Sequence, residues 1–463
     1  MPYLDYAASA PLRPEALAAM LPLLERPAAN PSSQHTQGRA ARAAVETARE
    51  QVAALVGADP SEVVFTSGGT EADNLAVKGT LLAQAPETRH LVCSAVEHHA
   101  VLDAAAWAEA DAGAQVDLAP VDNLGRVELD RLAALLQPGR TALVAVMAAN
   151  NEVGTGQPVA GAAELAHAAG AVLLCDAVQA AGLPGIDLAA DGVDLLALAA
   201  HKLGGPTGVG ALVVRRGTTL RPLVHGGGQE RGLRSGTLPA AALAGFGAAA
   251  AAALTDRQTG ATTTLTALRS RLLTGLRTLA PDLERNGDPG PIGEDATGPK
   301  ATGERGPIGE DAPGPKATGE PGQIGQDAPG PEATGEPGPA GRDAAARFGG
   351  AATPRPSGLG LPGLLSVRFP GRRAEDLLLL LDRYGVACSA GSACASGAVT
   401  PSHVLVAMGR DPAEARETVR FSLGHASTEA DVDAAVAAVA RALAVLAPAE
   451  GRAGSTARQG VGR

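Results

Sequence analysis

Aromatic side chains are nearly absent from this chain. Five Phe, three Tyr and one Trp are all that 463 residues contain, 2% of the total. The core must therefore be assembled from Ala, Leu and Val. Alanine favours helix but buries little area per residue. A chain of this composition gains from a large interface, and an oligomer is expected. Cysteine is scarce too, with four residues at positions 93, 175, 388 and 394, which argues against a disulfide framework. Cys93 and Cys175, in HLVCSAV and AVLLCDAV, read as small buried hydrophobes. Cys388 and Cys394 share the stretch YGVACSAGSACASGA. Their spacing does not suit a CxxC redox pair, and no further ligands stand nearby for zinc. The Gly/Ala/Ser setting reads as a segment in which a thiol can be exposed and react.

Other absences narrow the field. No apolar run reaches transmembrane length, and MPYLDYAASA has neither a basic n-region nor an h-region. The cytoplasm is the expected compartment, with no membrane partner. Positive charge is not in excess: 38 Lys and Arg face 49 Asp and Glu, a net charge of -11. That disfavours nonspecific binding to nucleic acid, while leaving room for a small basic pocket for phosphate. The length suffices for two or more domains.

What is present is an alternation. Strand-like apolar runs occur at 62–67 (EVVFTS), 90–95, 142–147, 171–176, 194–199 and 210–215. Ala-rich helical stretches lie among them at 70–85, 99–109, 128–137 and 160–169. Buried runs alternating with helices predict an α/β sheet covered on both faces. Two long helical segments follow, near 238–256 and 261–280. A second set of elements has strands at 363–369 and 417–423 and helices near 374–384 and 428–446. Between them, from 287 to about 350, runs a repeat of period 16, with units such as GERGPIGEDAPGPKAT. It looks collagen-like, but the Gly-every-third rule breaks inside each unit, as a triple helix does not allow. It lacks the apolar area to offset the entropy of ordering. A disordered surface insert is expected, tolerated because closure entropy grows only logarithmically with length.

In such sheets ligands bind beyond the carboxyl ends of the strands, and distinctive polar residues fall there. Gly69 and Thr70, in TSGGTE, follow the first run. Glycines permit a tight turn, and amides at a helix start can cradle a phosphate. The stretch has neither the Walker A nor the dinucleotide spacing, so a phosphate monoester fits better than a nucleotide. Glu97 and His98 follow the second run, and an imidazole can stack on a flat cofactor and shuttle a proton. Asn150 follows the third run, and Asp176 and Gln179 the fourth. A buried acid there needs a positive partner, and a protonated pyridine nitrogen is one. His201 and Lys202 follow the fifth run, and Lys202 could hold an aldehyde cofactor as a Schiff base. Thr237, in GLRSGTLP, is a further hydroxyl at a helix start. Arg420, in VRFSLG, could bind a substrate carboxylate in a fork, with Asn150 assisting.

The stretches YLDYAASAP, NPSSQHTQGRAAR, FTSGGTEADN, VEHHAVLD, ANNEVGTGQP, CDAVQAAG, AHKLGGPTGVGAL, GGGQERGLRSGTLP, GSACASG and ETVRFSLG together resemble the class V aminotransferase-fold cysteine desulfurases of the NifS/IscS group. The resemblance spans nearly the whole chain apart from the repeat and the tail. It implies a fold type I α/β architecture, with a mixed, mostly parallel seven-stranded sheet flanked by helices and a smaller α+β domain. The implied division is 1–15 as an N-terminal segment packing with the small domain and 16–256 as the large cofactor domain. Residues 257–286 with 351–448 form the small domain carrying the cysteine loop, 287–350 the insert and 449–463 a disordered tail.

The resemblance also implies pyridoxal 5'-phosphate as cofactor and no metal for the desulfurase step. Lys202 would hold the cofactor, Asp176 pair with its ring nitrogen and Gln179 bond its phenolic oxygen. His98 would stack on the ring and transfer a proton. Gly69, Thr70 and His201 would bind the phosphate, and Thr237 would reach the phosphate of the neighbouring subunit in a homodimer. Asn150 and Arg420 would orient the substrate. Cys394 would take sulfur from L-cysteine as a persulfide, leave alanine, and pass the sulfur to an acceptor protein for iron–sulfur assembly or thiolation.

Three positions depart from the commonest family pattern. Ala199 replaces a serine, Thr207 a lysine and Gln229 a histidine. A lost phosphate hydroxyl at Ala199 would cost about 1 kcal/mol. The end of the chain lacks the aromatic-ended tail by which housekeeping members engage the iron–sulfur scaffold. Two other readings remain open: a selenocysteine lyase or another enzyme of the same fold, and a catalytically dead interaction protein using the repeat as an arm.

Overall fold

Fully buried apolar strands need cover on both faces, and the chain supplies it with helices. The computed structural model describes residues 1–25, 29–182, 188, 190–289, 360–391 and 401–446. These belong to one compact unit, Met1–Asp295 with Arg355–Arg463. The repeat, the segment 392–400 with Cys394, and the tail from 447 lie outside the described residues.

Seven strands form the main sheet: β1 (Val63–Thr66), β2 (His90–Ser94), β3 (Gln115–Ala119), β4 (Thr141–Ala145), β5 (Val172–Asp176), β6 (Leu195–Ala199) and β7 (Gly210–Val214). Their order is β1-β7-β6-β5-β4-β2-β3. All neighbours are parallel except β7, which runs antiparallel to both β1 and β6. The sheet is thus mixed and mostly parallel, as expected. A second, antiparallel sheet has the order β10-β9-β8, from β8 (Glu284–Asn286), β9 (Leu364–Arg368) and β10 (Thr418–Ser422).

The helices are α1 (Pro14–Leu24), α2 (Thr36–Val56), α3 (Gly69–Ala83), α4 (His99–Ala112), α5 (Leu129–Leu135), α6 (Val159–Ala168), α7 (Ala240–Thr259), α8 (Ala261–Leu279), α9 (Ala374–Arg383), α10 (His403–Ala407), α11 (Pro412–Ala415) and α12 (Glu429–Leu446). Among the described residues none is long and apolar enough to cross a membrane.

Close approach of small residues replaces aromatic bulk. Helices α2 and α7 pack so tightly that a Cβ on Gly247 would stand 2.5 Å from Ala48 Cα. Phe65 and Phe246 meet edge to face, ring centres 6.3 Å apart. The second sheet has its own apolar core, where Val367 and Phe421 meet Leu272, Leu381 and Val439 of the covering helices.

The N-terminal segment joins the two sheets. The Leu4 amide donates to the Ala387 carbonyl at 2.8 Å, and Tyr6 donates to Ser422 of β10. Farther on, Ala10 donates to the His201 carbonyl at 2.9 Å and Arg13 to Gly204 at 2.8 Å. One extended stretch thus reaches from the small sheet to the turn that carries Lys202.

A buried ion pair seals the edge of β1. Arg49 Nη2 meets Glu230 Oε1 at 2.7 Å, with both side chains almost fully enclosed. Glu230 Oε2 also accepts from the Phe65 amide at 2.7 Å, and Arg49 Nη1 donates to the Val63 carbonyl at 2.8 Å. The pair thus satisfies edge groups that would otherwise invite another strand. Its geometry has a backbone cost. Glu230 and Arg231 both adopt positive φ, 46° and 56°, a region that costs roughly 1–2 kcal/mol for a residue with a Cβ. Glu230→Ala would leave the enclosed Arg49 with the more exposed Glu46, at 3.1 Å, as its ion partner and the Phe65 amide without its acceptor, and is expected to cost about 1–3 kcal/mol in chemical denaturation. A loss below about 1 kcal/mol would show that water replaces the carboxylate there.

Candidate active site

The strand ends deliver the expected residues to one region. Strand β1 ends at Thr66, the chain turns through Ser67 and Gly68, and α3 begins at Gly69. The first amides of α3, from Gly69, Thr70 and Glu71, have no carbonyl inside the helix to bond. They form an anion-seeking cluster. Glycine is required at 69, because a Cβ there would lie 2.7 Å from Val178 Cγ2. The phosphate turn therefore packs directly on the loop behind Asp176.

Asp176 ends β5, buried, with Oδ1 accepting from the Val178 amide at 2.9 Å. Burial pushes its carboxyl up, while the Val178 amide, His98 and Lys202 oppose that push. His98 stands just ahead of α4, with Nδ1 accepting from the Ala100 amide at 3.1 Å. The neutral ring therefore carries its proton on Nε2. Burial lowers its proton affinity; Asp176 raises it, and Lys202, His99 and His403 lower it further. His201 is pushed down to about 4 by burial and by Lys202. Without an anion beside it, it is a neutral donor rather than a cation.

Lys202 lies in a short 3-10 turn, Ala200–Lys202, after β6. Its Nζ donates to the Ala7 carbonyl at 2.5 Å and to the Ala8 carbonyl at 3.0 Å. Gln179 Nε2 donates to the same Ala7 oxygen at 2.8 Å. Lys202 and Gln179 are thus brought together by a backbone carbonyl of the N-terminal segment, a group the sequence reading did not single out.

Arg420 of β10 is almost fully buried. Nη1 donates to the Asn151 carbonyl at 2.8 Å, and Nη2 to Asp5 Oδ1 at 3.1 Å. Its Nε is buried without a hydrogen-bond partner. Asp5 is a second group that sequence reasoning missed. Asn150 differs from expectation. Its Oδ1 accepts from the Glu152 and Val153 amides at 2.8 and 3.0 Å, and its Nδ2 donates to the Val96 carbonyl at 3.0 Å. The side chain is engaged in its own turn, and reaching a substrate carboxylate would require breaking that turn.

Thr237 is exposed, between a closed loop and α7. Among the described residues no hydrogen bond joins it to Thr70 or His201. Gln229 is part of that loop's scaffolding, its Oε1 accepting from the Gly236 amide at 2.9 Å. Ala199 is buried at the end of β6, within 3.6 Å of where a Cβ on Gly69 would stand. Cys394 lies outside the described residues. Among those described, no cluster of His, Cys, Asp and Glu could hold a metal ion.

Two further acids lie close to Asp176. Asp73, on the inner face of α3, is fully enclosed, and its Oδ1 has no partner. Burial, then Asp176 and Glu97, push its carboxyl well above the ordinary range. Glu97 is pushed up by burial and by Asp176, although Oε1 accepts from the Met147 amide at 2.7 Å. Among the three, Asp176 has the help of His98 and Lys202 in carrying charge. A polar residue on the apolar face of a predicted helix was the signal for Asp73.

Comparison with known proteins shows the family of the chain. The family model for class-V aminotransferases matches residues 2–287 and 355–435. An IscS-like cysteine desulfurase of Mycobacterium tuberculosis is 40% identical over 450 residues, covering 96% of this chain and 97% of its own. A solved NifS-like protein superposes with a TM-score of 0.75 at 30% identity, covering 96% of this chain and 99% of its own. The structure of SspA in complex with cysteine superposes with a TM-score of 0.67 at 29% identity, covering 91% and 99%.

The raised acid at Asp73 has a measurable consequence. Its native form keeps a proton that the unfolded chain releases near pH 4. Stability is therefore lost as pH rises above that value toward the native pKa. Asp73→Asn removes this dependence. The melting temperature of Asp73→Asn relative to wild type is expected to be more favourable at pH 8 than at pH 5. An equal difference at the two pH values would mean that Asp73 is ionised in the native state.

Proposed function

The chain belongs to the class-V aminotransferase family and is a pyridoxal-phosphate-dependent cysteine desulfurase, and on that premise we propose how its residues perform the reaction. The observation that carries the reading is the buried Asp176 carboxyl at the end of β5, with the Lys202 amine and the His98 ring near enough to favour its charge. An enclosed acid of this kind suits a protonated ring nitrogen. The donor set fits the rest of the cofactor. The amides opening α3, Thr70 and the neutral His201 suit the phosphate, Gln179 the phenolic oxygen and Lys202 Nζ the aldehyde carbon. When bound, pyridoxal phosphate supplies an electron sink for the bonds at the substrate's Cα.

The chain's own groups do the rest. Arg420 holds the carboxylate of L-cysteine by exchanging its Asn151 and Asp5 contacts for a fork to it. Lys202 Nζ takes the Cα proton once the substrate amine has displaced it. His98 donates from Nε2. The Cys394 thiolate attacks the substrate sulfur. An S–S bond forms as the C–S bond breaks, and the electron pair stays on the substrate carbon. Protonation of that carbon and return of the Cα proton from Lys202 give alanine, and Cys394 keeps the persulfide for an acceptor protein carrying its own nucleophile, in iron–sulfur assembly or thiolation. SspA, solved with cysteine, supports the substrate. A reducing compartment, the cytoplasm, suits a reaction that depends on a thiolate and a persulfide.

The working unit is a homodimer. An apolar groove of about 670 Å³ opens between α1, α2 and the start of α7, lined by Met20, Leu23, Leu24, Ala40, Leu238 and Ala241. Leu17, Leu21 and Leu24 add exposed apolar surface beside it. Thr237 stands one residue before this groove, so a second copy seated here receives Thr237 at its phosphate site.

Two experiments test these assignments. Lys202→Ala is expected to lose the cofactor's visible absorbance band. Cys394→Ala is expected to keep the band and lose alanine formation from cysteine by about 10³-fold or more. Alanine release from Cys394→Ala at the wild-type rate would remove the persulfide step. In sedimentation, Leu24→Asp is expected to shift the protein to monomer with loss of bound cofactor. A Leu24→Asp dimer of wild-type affinity would place the interface elsewhere.

A further inference from the structure

Two ion pairs tie the loop 224–239 to the rest of the chain. Arg49 and Glu230 seal the edge of β1. The other pair, Arg234 and Glu71, ends at the phosphate turn. Arg234 Nε donates to Glu71 Oε1 at 2.9 Å, and Nη2 to Oε2 at 3.4 Å. The same Oε2 accepts the Ser67 amide at 2.8 Å. Glu71 sits in the first turn of α3, next to Thr70. Burial pushes its carboxyl up, yet the Arg234 fork and the Ser67 amide outweigh that and hold it below the usual range.

The loop on the other side of this pair is closed on itself. The Ser235 amide donates to the Val224 carbonyl at 3.1 Å, and the Gly228 amide to Ser235 Oγ at 3.3 Å. Gly236 donates to Gln229 Oε1 at 2.9 Å. Thr237 follows at once, exposed. A short, braced path therefore runs from Ser67 through Glu71 and Arg234 to Thr237. A two-point guanidinium–carboxylate contact fixes orientation as well as distance. Both side chains are about four-fifths enclosed, at 19% and 20% exposure, so the contact is less screened than a surface pair.

We infer that Arg234 and Glu71 are positioning residues for the cofactor phosphate, locking the turn that cradles it in one subunit to the loop that offers Thr237 to the other. This rests on the reading that Thr237 serves the neighbouring subunit. Neither residue need touch the phosphate. Glu71 holds the Ser67 amide and the start of α3, and Arg234 sets the loop against them.

The test uses full-length protein stripped of cofactor and titrated with pyridoxal phosphate and, separately, with pyridoxal, which lacks the phosphate. Glu71→Gln and Arg234→Ala are each expected to weaken pyridoxal phosphate binding about tenfold, the scale seen when the outer support of a bound ion is lost. Pyridoxal binding should stay as in wild type, which a general loss of folding would not allow. The double variant should be no weaker than either single one, because both remove the same contact. Arg234→Lys should fall between, keeping the charge without the fork. Thr237→Ala, measured alongside, should also lower the preference for the phosphorylated form. A Thr237→Ala effect with none from Glu71→Gln or Arg234→Ala overturns the positioning role and leaves the Thr237 reading standing. An unchanged preference in Thr237→Ala overturns both.

Discussion

An acid enclosed at the end of β5 sets the terms for everything around it. Asp176 has lost its water and has one backbone amide in return. A carboxylate so placed stays charged only while positive groups remain near. Lys202, in the turn after β6, is such a group, and His98, in the loop after β2, adds to it when its ring is protonated. The antiparallel β7 closes the other side of β6, the strand that leads into the Lys202 turn. The glycine at 69 brings the phosphate turn against Val178, two residues past Asp176. The Asp176 carboxyl and the start of α3 are thus fixed to one another by direct packing rather than by a flexible linker, which on the proposed reading would hold a rigid cofactor without reorganisation.

The N-terminal segment supplies the second constraint. Ala7 offers one carbonyl to both Lys202 and Gln179, while Asp5, two residues earlier, holds Arg420. A single short segment, turning at residues 6–8, thereby spaces the Lys202 amine from the Arg420 guanidinium. Its own place is set by backbone bonds to β10 on one side and to the Lys202 turn on the other. A small slip of this segment would move both groups together. In the proposed reaction, the two ends of the substrate would therefore be registered by the same piece of backbone.

Much of this was legible in the sequence, and the remainder was hidden for identifiable reasons. Strands buried on both faces announce themselves as apolar runs, so six of the seven strands in the main sheet fell within one or two residues of expectation. β3 did not, because it lies at the sheet edge with Gln115 and Leu118 exposed and so shows no continuous run. Side chains with distinctive chemistry at strand ends pointed to the site: Asp176, His98, Lys202. The Ala7 carbonyl could not be read that way, since a backbone oxygen has no residue signature. Asn150 was given an outward task on the strength of its type. The structure turns it inward, because a buried amide in a tight turn is held by the backbone groups it alone can satisfy. The acid Asp73 escaped notice, and Glu97 drew no role, because their meaning depends on three chain segments meeting.

The departure at Ala199 can be weighed against this frame. A hydroxyl missing there removes one donor from the phosphate side, a loss of about 1 kcal/mol. What remains is a set of backbone amides opening α3, Thr70, His201 and the loop that ends in Thr237. Backbone amides are lost by substitution only to proline, and their aim depends on where the helix begins. That start is held from outside by Glu71, which grips the Ser67 amide and is itself gripped by Arg234. A site that relies less on side-chain hydroxyls relies more on the backbone that presents its amides. In this chain the fixed start of α3 therefore matters more than any one phosphate ligand.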